Sequence, residues 1–117
     1  MRFFMLAYKR GPNWREGEPL QRQPLQGHLG FLAALHRDGK LVMAGPCRDA
    51  GGGIAIVQTN SLEEAQDIAA LDPGVQAGVL RVEVLEWQPI DWGVFADVGV
   101  RLASERATVV FQSASLT

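Results

Sequence analysis

Residues 54–87, IAIVQTNSLEEAQDIAALDPGVQAGVLRVEVLEW, carry the punctuation that decides the fold. Ile54 to Gln58 is a run of branched aliphatic residues, which predicts a strand. Ser61-Leu62-Glu63-Glu64 then forms a capping box. The serine hydroxyl accepts from a backbone N–H one turn on, while the glutamate reaches back to the cap. The helix it starts runs to about Leu71, because the residue before a proline is pushed out of the helical region and Asp72 precedes Pro73. Asp72-Pro73-Gly74 predicts a turn. Val79 to Trp87 alternates as a strand, and Pro89 breaks it.

Upstream, the same grammar repeats. Arg2 to Lys9 is apolar and aromatic, a strand stopped at Gly11-Pro12. Asn13 to Gln23 is polar and reads as a loop. Pro24 suits the first turn of a helix, where its missing N–H has no partner to lose. Leu25, Leu29, Leu32, Leu35 and His36 then recur at helical spacing, and Asp38-Gly39 closes the segment. Lys40 to Ala44 is a short strand that Gly45-Pro46 should stop, with a wide loop through Gly51-Gly52-Gly53 before Ile54. The order is βαββαβ, an α+β, ferredoxin-like arrangement.

Such a domain keeps both helices on one side of its sheet. A bare second side would be polar. Here Phe3, Met5 and Ala7 oppose Phe4, Leu6 and Tyr8; Leu41 and Met43 oppose Val42 and Ala44; Ile54 and Ile56 oppose Ala55 and Val57. Only the last strand mixes one face, with Arg81 and Glu83 among its apolar residues. Something must cover the second face, and a second copy of the chain is the economical cover. A homodimer, sheet against sheet, is expected.

At 117 residues and a net charge of −2, the chain has the size of a single domain and lacks a basic patch for nucleic acid. No stretch approaches the roughly 18 consecutive apolar residues of a membrane span. The opening MRFFMLAYKR lacks the longer apolar core and cleavage site of a secretion signal. The single Cys47 cannot close an internal disulfide, so a reducing cytoplasm is the expected location.

The residues that carry chemistry are His28 and Asp72. His28 falls on the inward stripe of its helix, and Asp72 leans to the core from the end of the other. A buried carboxylate without a partner costs several kcal/mol. One that orients a single imidazole nitrogen leaves the other free as acid or base. The residues leave open whether the pair is structural or catalytic. Tyr8, at the end of a central strand, can reach the His28 region with a hydrogen bond. Trp14, in a polar loop, can lid a pocket or anchor the loop. Arg48 can edge the same pocket or stand in solvent. His36 lies about 12 Å along the helix from His28, too far to share a metal. It suits the last carbonyls and the negative helix end. No Cys or carboxylate spacing makes a metal site, and no metal or organic cofactor is expected. The three glycines sit between strands and not before a helix, which disfavours a phosphate cradle.

The segments His28-Leu29, Ala44-Gly45-Pro46, Gly52-Gly53-Ile54-Ala55-Ile56, Ser61-Leu62-Glu63-Glu64-Ala65, and Asp72-Pro73 through Ala77-Gly78-Val79 together resemble the YCII-related (YciI-like) domain family across residues 1–90. The resemblance implies a dimeric α+β barrel. It also implies a His–Asp dyad, here His28 and Asp72, and for some members dehydrochlorination of chlorinated aromatic rings. The expected function is that of a small-molecule enzyme, a lyase or isomerase. It would use His28 as acid or base and Asp72 as its orienting partner for elimination, dehydrochlorination or isomerisation of a cyclic or aromatic compound. The rival is a non-catalytic dimeric ligand-binding or accessory module.

Residues 91–117 lie outside the resemblance. Trp92, Val94, Phe95, Val98 and Val100, followed by Thr108-Val109-Val110-Phe111, make this extension too apolar for a disordered tail. It should pack on the dimer, with Thr108 to Gln112 as an added edge strand, closing the assembly or a pocket mouth.

Overall fold

The computed structural model describes residues 1–48 and 51–95. Strand β1 (Arg2–Arg10) leads through a loop and a single 3-10 turn (Leu20–Arg22) to helix α1 (Gln26–Arg37). Strands β2 (Leu41–Cys47) and β3 (Gly52–Thr59) form a hairpin. Helices α2 (Leu62–Leu71) and α3 (Pro73–Gln76) precede strand β4 (Leu80–Trp87). The expected βαββαβ order stands, with α3 added. The sheet is antiparallel in the order β2-β3-β1-β4, so β1 is central and, among the described residues, β2 is an edge.

Three boundaries differ from expectation, each for a local reason. Pro46 does not stop β2, which continues to Cys47. An edge strand tolerates proline because one side of it has no ladder to serve. Gly52 and Gly53 belong to β3, paired with Cys47 and Pro46, so the hairpin is tight where a wide loop was expected. The glycine is needed there because a side chain on Gly52 would drive its Cβ into the Tyr8 carbonyl oxygen. Helix α1 starts at Gln26, after Pro24. The buried Gln23 amide holds the approach out of helix by bonding the backbone of Arg15 and Glu18.

The capping box forms in a shifted version. Ser61 Oγ accepts from the Glu64 N–H at 3.1 Å, but Glu64 reaches the N–H of Asn60, one residue before the cap. Such a cap contributes about 1 kcal/mol. His36 is exposed in the last turn of α1 and caps nothing among the described residues, where the N–H groups of Asp38, Gly39 and Lys40 take the carbonyls of Ala34, His36 and Leu35.

Both long helices cover one face of the sheet. Phe4 and Leu6 of β1, Ala55 and Val57 of β3, Leu35 of α1, and Ala65, Ile68 and Ala69 of α2 form the core. Fully burying a side chain such as Phe4 or Leu6 contributes roughly 1.5–3 kcal/mol. Cross-strand pairing puts Phe3, Met5, Ala7, Ile54, Ile56, Met43, Leu85 and Trp87 on the opposite face. Met43, Leu85 and Trp87 there are 63%, 40% and 44% exposed, a large apolar outlay for a bare surface.

The chain divides into a unit of Met1–Trp87 and a second of Gln88–Thr117. In the second, Asp91 accepts the N–H groups of Gly93 and Val94, and the Trp92 and Phe95 rings meet edge-on at 5.1 Å. The expected strand over residues 108–112, and the rest of the extension from residue 96, lie outside the described residues. No helix among the described residues is long and apolar enough to cross a membrane.

Candidate functional site

Two helices meet at two glycines. A Cβ on Gly27 of α1 would stand 3.0 Å from the Pro73 ring, and one on Gly74 of α3 would stand 3.0 Å from His28 Cβ. This close approach brings His28 against Asp72, which joins α2 to α3. Asp72 is the C-cap of one helix and the N-cap of the other. Its Oδ1 accepts the Gly74 N–H at 2.8 Å, and its Oδ2 lies 2.6 Å from His28 Nδ1. The carboxylate is wholly buried. With Nδ1 committed to Asp72, the imidazole keeps Nε2 for other work, and that nitrogen has no partner among the described residues.

His28 forms part of the wall of a cavity of about 490 Å³ between α1, the 14–23 loop and the β2–β3 hairpin. This falls within the usual range for small-molecule sites. Leu20, Leu25, Leu29, Leu32 and Ile54 make much of the wall apolar, and Trp14 and Tyr8 add aromatic surface. Asp72 stands behind His28, outside the lining. Leu29 explains itself here: it is 62% exposed because it faces the cavity and not the core that its helical spacing predicts.

The Tyr8 ring meets the His28 ring edge-on, with centroids 4.9 Å apart and planes at 75°. Burial first, and then the Asp72 charge and its hydrogen-bonding reach, push the Tyr8 phenol well above its ordinary range. The Arg10 guanidinium lies 5.3 Å over the Trp14 ring and supports it from outside. Arg48 is exposed at the hairpin and does not line the cavity. Gln23 had no sequence signal as a site residue. Its three backbone hydrogen bonds hold the loop that walls the cavity. Among the described residues no three of His, Cys, Asp and Glu gather at metal-binding distance.

These features define an α+β, ferredoxin-like protein with a buried His–Asp contact beside an apolar cavity. The chain belongs to the YCII-related domain family, whose model matches residues 1–88. The uncharacterized protein YjpA of Bacillus subtilis (strain 168) is 37% identical over 71 residues, which are 61% of this chain and 84% of YjpA. Among solved structures, 5-chloro-2-hydroxyhydroquinone dehydrochlorinase (TftG) from Burkholderia phenoliruptrix AC1100, in complex with 2,5-dihydroxybenzoquinone, superposes with a TM-score of 0.57 at 24% identity. The match covers 74% of this chain and 93% of that one, and it speaks to the fold.

Proposed function

We propose that the chain is a small-molecule enzyme in which His28 moves a proton and Asp72 orients it. The observation that carries this reading is the 2.6 Å contact between His28 Nδ1 and Asp72 Oδ2, with the same imidazole on the cavity wall. A ring bound against Leu25, Leu29 and Trp14 would meet Nε2 as the basic atom of the wall. The reaction class is elimination or isomerisation of a cyclic or aromatic compound. For a chlorinated hydroxylated ring, of the kind named for the structural neighbour, His28 first moves a proton from a hydroxyl to the carbon that bears chlorine, so that this oxygen becomes a ketone and the carbon becomes tetrahedral. Nε2 then takes the proton of a second hydroxyl; its electron pair closes a second C=O, the ring double bond shifts to the carbon bearing chlorine, and chloride departs with the pair of the C–Cl bond. His28 then passes its proton to solvent, so the ring loses HCl with no oxidant. Trp14 and Tyr8 supply aromatic surface against the ring, and Arg48 stands nearby at the hairpin.

The working form is a homodimer in a cytoplasmic setting, closed through the apolar face that carries Met43, Leu85 and Trp87. A second reading, a binding or accessory module with a structural pair, draws on Asp72 Oδ1, which caps α3 whatever His28 does. Turnover separates the two. The protein is given 5-chloro-2-hydroxyhydroquinone and chloride release is followed for wild type and His28→Gln. Release by the wild type and its loss in the variant supports the enzyme. Binding of the ring without release, equal in both proteins, supports the module.

A further inference from the structure

The Tyr8 hydroxyl is a loose end in the site. Among the described residues it is the one sealed side-chain polar atom with no hydrogen-bond partner. Interiors rarely keep such a group without a use. Phenylalanine would fill the same space on β1 without the hydroxyl. The ionisable groups that face the phenol are His28 from α1, whose ring it touches edge-on, and Asp72 from the α2–α3 junction. Asp72 already accepts from Gly74 at one oxygen and pairs with His28 at the other. A carboxylate offers about four lone-pair sites, so acceptor capacity is left over.

We propose that Tyr8 is a positioning residue whose hydroxyl donates to the Asp72 carboxylate, making the His28–Asp72 pair a three-membered Tyr8–Asp72–His28 network. Its catalytic consequence rests on the proton-transfer reading above, while the bond itself does not. The structure leaves the hydroxyl unpaired, and a small settling of the Tyr8 side chain toward Asp72 completes the bond. With three donors aimed at its two oxygens, Asp72 is fixed in place, which suits it to orient His28. The imidazole is then pinned twice, by the Nδ1 bond and by the edge of the phenol ring. Nε2 faces the cavity in one orientation. The hydroxyl of Tyr8 therefore serves Asp72, and only its ring serves a ligand.

The chain has a single tyrosine, so the tyrosinate absorbance reports Tyr8 alone. The test is a spectrophotometric pH titration of wild type and Asp72→Asn, with thermal melts of Tyr8→Phe. The expected results are tyrosinate at lower pH in Asp72→Asn than in wild type, and a melting temperature a few degrees lower in Tyr8→Phe. Identical titrations overturn the proposal. So does a higher melting temperature in Tyr8→Phe, the result that removing an unpaired buried hydroxyl would give. Should Asp72→Asn not fold, the phenolic proton of the wild type supplies the second reading by NMR. A slowly exchanging, downfield resonance supports the bond, and its absence under conditions where the Asp72-capped Gly74 amide is protected overturns it. None of these readings needs substrate, so they fail independently of the assigned function. Where turnover is in hand, Tyr8→Phe lowers kcat and leaves KM. A rise in KM alone would make the hydroxyl a ligand contact and overturn its positioning role.

Discussion

Gly74 lies so close against His28 that a methyl group on its α-carbon would stand 3.0 Å from His28 Cβ, 3.2 Å from Leu80 Cδ1 and 3.3 Å from Asp72 Oδ1. Each of these is tighter than ordinary van der Waals contact, and all three neighbours are packed. The glycine therefore sets the spacing between α1 and α3 on which the His28–Asp72 contact depends.

Gly74→Ala should push α3 off α1 and lengthen that contact. Overpacking of this kind costs about 1–3 kcal/mol. The measurement is urea unfolding beside the chloride-release assay. Stability and activity should both fall, whereas Gly30→Ala, with nothing among the described residues within 4 Å, should leave activity near wild type and not lower stability.

His28→Ala removes one partner of a buried pair and leaves a wholly buried carboxylate with Gly74 as its main donor. Breaking such a pair costs roughly 3 kcal/mol. Loss of general acid–base help costs about 10²–10⁴-fold in rate. Asp72→Asn, which keeps an acceptor for the Gly74 N–H, should lose more activity than stability. A purely structural pair would give the reverse pattern, with stability lost and any binding of ring compounds intact.

The Tyr8 phenol makes a pH prediction. Its proton is held more tightly folded than unfolded, because burial and the Asp72 charge raise its pKa. The stability tied to that shift is present in full below the ordinary phenol value of about 10 and is lost as pH rises beyond it. Denaturant midpoints measured upward from pH 9 should fall for wild type and fall less for Tyr8→Phe. Equal slopes would mean that the phenol ionises alike in both states.

Leu85→Glu and Trp87→Glu place a charge on the apolar open face of the sheet without touching the core. If that face joins two copies, each variant should sediment as a monomer or a weakened dimer at micromolar concentration, where wild type sediments as a dimer. A wild type that is monomeric and fully folded would remove the dimer from the account.

Much of the fold was legible because its boundaries are chemical. Ser61, Glu64 and Pro73 mark α2 at both ends, and the apolar period of α1 puts His28 inward as it stands. What escaped reading depends on neighbours. Pro46 looks like a stop until β2 is known to be an edge. A four-residue helix such as α3 is too short to show a period, so Asp72 read as a helix end and its second duty as a cap was hidden. Gly27 and Gly74 carry no signal until the helices they let together are seen. Leu29 keeps the helical spacing of a core residue, yet it faces the cavity. Gln23 looks like any loop glutamine, because its worth lies in three backbone groups that only the folded loop brings to it.

The pairing of His28 with Asp72 at the cavity wall is read from the nitrogen NMR spectrum of His28, assigned against His36 by the His28→Gln variant and recorded with the ring neutral, before and after addition of 2,5-dihydroxybenzoquinone. The expected spectrum has a proton on Nδ1, bonded to Asp72, and a free Nε2 whose resonance moves when the ring compound enters the cavity. A proton on Nε2 with Nδ1 bare, or an Nε2 resonance indifferent to saturating ligand, would contradict it.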